Sequence, residues 1–188
     1  MPSSHASSSS LETIVLGGGC FWCTEAVFDR VDGVVDVESG YSNGQVRNPS
    51  YEQVCTGRTG HNEVVKLQFD PARISLREIL EIFFVVHDPT TLNRQGNDVG
   101  TQYRSGIYTT TDAQQATVRE LIAELAANQV YRGAPIVTEV APLSNYWPAE
   151  DDHQDYFARH PDQGYCAFVV GPKVEKFQKT FAARVKKD

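Results

Sequence analysis

Three consecutive glycines, Gly17-Gly18-Gly19, separate a short apolar run, Thr13-Ile14-Val15-Leu16, from a helical pattern that starts at Cys20. A strand, a glycine turn and a helix start leave few ways to place that cysteine. It is expected at the positive pole of the helix, where backbone amides and the dipole favour a thiolate and lower the thiol pKa. The glycines let the backbone approach whatever the sulfur attacks. Cys23 lies three residues further on, and within a first helical turn that spacing brings two sulfurs into disulfide range.

A Cys-x-x-Cys pair is a dithiol signature in a chain kept under reducing conditions. The competing readings are half of a zinc site or two small buried side chains. Zinc would need a second pair or well-spaced histidines, and the five histidines, at positions 5, 61, 87, 153 and 160, lack that spacing. No metal and no organic cofactor is expected. Phe21 and Trp22 point about 100° apart on a helix, so both do not enter one core. One belongs to the interior, and the other lines an apolar pocket over Cys20 that suits a methyl group.

The rest of the chain is interleaved. Val34 to Ser39 reads as a strand, and Asn43-Gly44 and Asn48-Pro49 mark a turn-rich loop. Glu63 to Phe69 alternates, with Val65, Leu67 and Phe69 on one face. Ser75-Leu76-Arg77-Glu78 is a capping box opening a helix that presents Leu76, Ile79, Leu80 and Phe83. His87 to Tyr103 shows no periodicity, and a long loop in a compact domain is usually functional. Ser105–Thr109 and Ile136–Val140 read as strands, and Asp112 as the cap of a long helix between them. Asp151–His160 reads as a short helix, Tyr165–Val170 as a strand, and Pro172 opens a last helix with Val174, Phe177 and Phe181 inward. The expected fold is one α+β domain with a mixed sheet over residues 11–188, preceded by a disordered Ser-rich tail over residues 1–10.

The formal net charge of −7 argues against a nucleic-acid backbone as partner. No stretch approaches the roughly 20 apolar residues of a membrane span. The first ten residues lack the basic and apolar regions of a secretory signal, so the expected compartment is the cytoplasm. There the four cysteines, Cys20, Cys23, Cys55 and Cys166, are expected to be buried or catalytic, not structural disulfides.

Gly19-Cys20-Phe21-Trp22 resembles the signature of the A-type peptide methionine sulfoxide reductases. The likeness continues through Gly33-Val34, Ser39-Gly40-Tyr41, Asn48-Pro49-Ser50-Tyr51, Thr59-Gly60-His61-Asn62-Glu63 and His87-Asp88-Pro89-Thr90. It runs on through Arg94-Gln95-Gly96-Asn97-Asp98, Gly100 to Ser105 and His153-Gln154-Asp155-Tyr156, and ends near Gly164-Tyr165-Cys166. The resemblance implies an α+β fold with a βαβ unit in a mixed sheet. It implies reduction of the S epimer of methionine sulfoxide, free or in oxidised proteins, with thioredoxin as reductant.

Carried over by position, Cys20 would be the nucleophile and Glu63 the acid that protonates the sulfoxide oxygen. Tyr51 and Tyr103 would hydrogen-bond that oxygen, Asp98 would orient the site, and Phe21 and Trp22 would hold the methyl group. A carboxyl in an apolar pocket has a raised pKa, so a neutral Glu63 is physically reasonable.

Many members of the family carry the regenerating cysteine in a Gly-rich C-terminal tail. Here Cys166 precedes Ala167-Phe168-Val169-Val170 and an amphipathic helix, and Cys23 stands where many members have Gly. The resemblance to the Gly-Cys-Phe-Trp-Cys subgroup favours Cys23 as the resolving thiol, with Cys166 the alternative and Cys55 a bystander. Two other readings stand beside this one: a general dithiol oxidoreductase, and a non-catalytic module that reads oxidised methionine.

Overall fold

A computed structural model describes residues 11–187; the Ser-rich stretch over residues 1–10 lies outside the described residues. The first apolar run becomes β1 (Glu12–Gly18), and α1 (Phe21–Phe28) follows the glycine turn. Then come β2 (Val34–Ser42), the short α2 (Tyr51–Cys55), β3 (Asn62–Phe69) and α3 (Leu76–Val86). A small hairpin of β4 (Arg94–Gln95) and β5 (Asp98–Val99) and a 3-10 turn at Thr101–Tyr103 lead into β6 (Ser105–Thr109). α4 (Asp112–Ala127), β7 (Glu139–Pro142), β8 (Trp147–Pro148) and a 3-10 turn at Asp151–His153 follow. α5 (Tyr156–Arg159), a π-helical turn at Cys166–Val170, α6 (Gly171–Thr180) and a 3-10 turn at Ala182–Arg184 close the order.

Six strands form one sheet in the order β7-β6-β1-β3-β2-β8. β3 runs antiparallel to both β1 and β2, so β1 and β2 are parallel, with β3 between them and α1 as their crossover. β6 is antiparallel to β1 and parallel to β7, and α4 connects that parallel pair. The sheet is therefore mixed, with βαβ connections, as the sequence led us to expect.

The alternation of β3 decides which face packs on what. Val65, Leu67 and Phe69 face the main core, where they meet Phe28, Phe83 and Phe177 from the helices. Val64 faces the other way and joins Val15 and Tyr108 in a small second cluster under Ala141, Leu143 and Tyr146. The Lys66 stem also lies on that side, with its ammonium 5.1 Å from the centre of the Tyr146 ring.

Four local expectations change. Tyr165–Val170 is helical, not a strand; Cys166 and Val170 point inward in register with Val174 and Phe177 of α6. The strand expected over Ile136–Val140 starts only at Glu139, because the Val137 amide is engaged by the Pro89 carbonyl at 2.8 Å. Thr111, not Asp112, caps α4, its side chain accepting from the Gln114 amide. The turn-rich segment before Thr59 contains α2, opened by a Ser50–Gln53 capping box.

Candidate active site

Cys20 is the N-cap of α1, and its carbonyl accepts from the Cys23 amide at 3.0 Å. The glycines ahead of it serve close approach. Gly19 has a φ of 95°, and a Cβ there would stand 2.7 Å from the Gln95 side chain. Gln95 in turn grips Asp88, accepting from its amide at 2.8 Å and donating to its carbonyl at 2.9 Å. The glycine turn is thereby fitted against the start of the His87–Tyr103 loop. A Cβ on Gly17 would overlap Asn62, which donates to the Arg104 carbonyl and the Tyr108 hydroxyl at 3.0 and 2.9 Å.

The first amide of α1 is spent on a carboxyl. Phe21 N donates to Glu63 Oε1 at 3.1 Å, and Glu63 lies on β3 opposite Tyr41 of β2. The expectation that the helix start lowers the Cys20 pKa is not met. Burial pushes the Cys20 thiol well above its ordinary value, and the charges of Glu63 and Cys23 push the same way, while the Trp22 amide pulls against them. The helix start does act on the sulfur through the Trp22 amide, but the Phe21 amide is taken by Glu63, and burial together with negative neighbours outweighs what remains.

Glu63 is 1% exposed, and its second oxygen, Oε2, is buried without a hydrogen-bond partner. Burial raises its pKa to about 8, against the opposing pull of the Phe21 amide and with a further push from Asp98. A protonated Glu63 also carries no charge, which removes the second of the causes that hold the Cys20 thiol up.

Tyr103, Tyr51 and Asp98 gather around this pair. Burial raises the Tyr103 hydroxyl pKa, with Glu63 and Cys20 as the next causes. Burial also raises that of Tyr51, with Glu63 next and the Cys55 side chain after it. Both phenols therefore stay protonated donors at neutral pH. Asp98 accepts from Tyr165 Oη at 2.6 Å, and that hydroxyl stands 4.0 Å from Cys23 Sγ.

The two aromatics beside Cys20 divide as expected. Phe21 is fully buried, against Tyr41 at 5.6 Å and Tyr51 at 6.4 Å between ring centres. Trp22 is part-buried and stacks on Tyr156 at 3.8 Å with an interplanar angle of 2°. Its Nε1 donates to His153 Nδ1 at 3.2 Å, and Tyr165 meets its ring edge-on. His153 lies 4.3 Å from the Tyr51 ring, which closes the aromatic wall.

A family model described as peptide methionine sulfoxide reductase matches residues 12–185. The chain belongs to the peptide methionine sulfoxide reductase family. The peptide methionine sulfoxide reductase MsrA of Ralstonia nicotianae is 57% identical over 180 residues, covering 94% of each chain. That of Saccharolobus solfataricus is 54% identical, covering 94% of this chain and 98% of its own. Among solved structures, methionine sulfoxide reductase A of Corynebacterium diphtheriae is 40% identical with a TM-score of 0.79, covering 85% of this chain and 79% of that one. Mxr1 of Saccharomyces cerevisiae in reduced form is 37% identical with a TM-score of 0.77, covering 84% and 90%. The same yeast protein in complex with Trx2 matches at 28% identity and a TM-score of 0.54, over 79% of this chain and 86% of that one.

Within this member of the family, Cys20, Cys23, Glu63, Tyr51, Tyr103, Asp98, Phe21 and Trp22 are drawn into one neighbourhood. Cys166 lies behind it, fully buried in the core; its charge would be felt at Cys23, the last of the causes acting on that thiol after burial. Cys55 ends α2 and is exposed. No group of at least three His, Cys, Asp or Glu among the described residues is arranged to hold a metal ion.

Four residues of the site received no role from sequence reasoning: Tyr165, His153, Tyr156 and Glu150. Glu150 accepts from the Tyr41 hydroxyl and from the Tyr51 amide, both at 2.8 Å, and so seats α2 against β2. His153, Tyr156 and Tyr165 stand in the family motifs His153-Gln154-Asp155-Tyr156 and Gly164-Tyr165-Cys166, which were the available signal; Glu150 stands outside them.

Proposed function

We propose that this chain reduces the S epimer of methionine sulfoxide, free or within oxidised proteins, with Cys20 as nucleophile and Glu63 as proton donor. The observation that carries the reading is Glu63: fully buried, raised to about 8, and with Oε2 lacking a partner beside Cys20. A sulfoxide oxygen departs only when its growing charge is neutralised, and a carboxyl that keeps its proton at neutral pH supplies that.

In this reading the methyl group sits against Phe21 and Trp22 while Tyr51 and Tyr103 donate to the sulfoxide oxygen. Asp98 orients the opposite side through Tyr165. The Cys20 sulfur attacks the sulfoxide sulfur, and the oxygen receives the Glu63 proton while the thiol proton returns to Glu63. The bond between oxygen and the methionine sulfur breaks as the oxygen passes to Cys20 and methionine leaves as the thioether. Cys20 ends as a sulfenic acid carrying that oxygen. The Cys23 thiol then condenses with it, releasing water and forming a disulfide, with Cys166 as the alternative partner. An external dithiol attacks the disulfide and returns both cysteines to thiols. The likeness to Mxr1, solved with Trx2, supports thioredoxin in that role. No helix among the described residues is long and apolar enough to cross a membrane. We assign the reaction to the reducing cytoplasm, where such a dithiol is available.

One assay tests the activity and the stereochemistry together. With dithiothreitol and racemic methionine sulfoxide, product formation is expected to stop at about half of the substrate, since each reductase type takes one epimer. Complete consumption would refute the one-handed pocket, and no product at all would refute the activity.

A further inference from the structure

The reaction proposed above makes no use of Glu25, a carboxyl 2% exposed on α1, three residues beyond Trp22 on the same helix face. Its Oε1 accepts from the Asp155 amide at 2.9 Å, and its Oε2 is buried without a partner. Asp155 is held at a φ of 54°, in the left-handed region that a side chain other than glycine adopts only at a cost. That residue turns the chain between the Asp151–His153 turn and α5. The residues on either side of the turn are the ones that touch the aromatic pocket. His153 accepts from Trp22 Nε1, Tyr156 stacks flat on the Trp22 ring, and Gln154 is bonded to the Ser39 backbone through both ends of its amide.

We propose that Glu25 is a positioning residue for the substrate pocket: by holding the Asp155 amide it fixes the His153–Tyr156 wall against Trp22. The inference rests on the reductase reading above and adds a determinant of substrate binding to it. A left-handed residue persists only where its surroundings over-determine it, and the buried Glu25 acceptor is what Asp155 finds there. Take that acceptor away and the amide, part-buried against α1, loses its partner, with local strain favouring a different turn. Tyr156 then no longer lies flat on Trp22, and the methyl pocket loses its outer wall. The chemical step is held by another device, the Phe21 amide on Glu63 Oε1, at the opposite end of the helix turn. Binding and chemistry should therefore separate.

Steady-state and single-turnover kinetics on a methionine sulfoxide peptide, with dithiothreitol as reductant, test the separation. Glu25→Ala is expected to raise KM by about tenfold, the cost of leaving the Asp155 amide without its partner, with the single-turnover rate at saturation within a few-fold of wild type. Trp22 fluorescence should change in the same variant, because its stacking partner has moved. Glu25→Gln keeps an acceptor for the Asp155 amide and should return most of the lost KM. The inference is overturned if KM in Glu25→Ala is unchanged, if the single-turnover rate falls while KM holds, or if Glu25→Gln is as impaired as Glu25→Ala.

Should Glu25→Ala fail to fold, hydrogen exchange in the folded wild-type protein decides instead. The Asp155 amide should be strongly protected, and rapid exchange there would overturn the assignment. A wild-type enzyme with no activity on the peptide would defeat the reductase reading; wild-type activity with an indifferent Glu25 defeats this inference alone.

Discussion

A carboxyl that keeps its proton near neutral pH leaves a kinetic trace. If Glu63 must be protonated for the sulfoxide oxygen to depart, the first step runs at full rate well below its pKa and slows as pH rises through about 8. Glu63→Gln retains a hydrogen-bond donor but has no proton to give. Its single-turnover rate should fall by about 10² to 10⁴, and the alkaline limb assigned to Glu63 should vanish. A variant within a few-fold of wild type, with the same pH profile, would reduce Glu63 to a structural role. The nucleophile gives a plainer test. Cys20→Ser should abolish reduction, because a hydroxyl at its ordinary pKa is a poor nucleophile; substantial residual product, measured by chromatography, would move the attack elsewhere. The raised resting pKa of Cys20 sharpens both expectations. The thiolate forms only when the site supplies a reason, and a neutral Glu63 together with a bound sulfoxide is one.

At the scale of elements, the contest between Cys23 and Cys166 turns on what must move. Cys23 is on the same helical turn as Cys20 and stays tethered there. Cys166 is fully buried on a π-helical turn continuous with α6, so carrying it to Cys20 means unpacking that end of the core. Cys23→Ser should therefore leave one round of reduction intact and stop recycling by thioredoxin, while Cys166→Ser is milder. Peptide mapping after one turnover should find a Cys20–Cys23 disulfide; a dominant Cys20–Cys166 linkage would reverse the assignment.

The helical state of Tyr165–Val170 also shows where sequence reading stopped. Six apolar or aromatic residues in a row fit a buried strand or a buried helix equally, and length does not arbitrate. The discriminating signal was longer: Cys166, Val170, Val174 and Phe177 recur at helical spacing across the boundary drawn at Pro172. Where one period ran long enough, as in β3 and α4, or a cap was explicit, as at Ser75, the elements were legible. At the site, the cysteine pair and the split of Phe21 from Trp22 followed from local rules. Glu63 and Asp98 came only from the family motifs, and the Asp98–Tyr165 bond joins residues 67 apart that no local pattern links.

For the whole molecule, the buried ionisable groups set a stability profile whose direction follows from three of them. Glu63 and Glu25 are raised by burial to about 8 and about 7 from an ordinary value of 4.5, and Asp29 and Asp155 add to the push on Glu25. For such carboxyls the native state holds protons that the unfolded chain has released. Their contribution is fully present below the unfolded pKa and is lost as pH rises through the folded values. His87 acts in the opposite sense. Burial lowers it to about 4, with Nδ1 against the Phe83 carbonyl and Nε2 against Ser105, so its contribution is present above 6.5 and is lost as pH falls toward 4. Between about 4.5 and 6.5 the two trends oppose each other; above 6.5 the carboxyls act alone. The thiols and phenols are raised from 9 and 10, so they act in the same sense as the carboxyls, but only as pH approaches 9, where the unfolded thiols begin to ionise. Urea unfolding should therefore show a lower midpoint at about pH 8.5 than at about pH 6.5. Glu63→Gln and Glu25→Gln should each flatten that slope, because an amide buries without a proton to lose. Combined, they should remove most of the fall across the interval. A midpoint that rises with pH in the wild-type protein, or a slope undiminished by the two substitutions together, would mean that these carboxyls do not carry their protons into the native state. The acid assigned to catalysis would then lose its physical basis along with the stability profile.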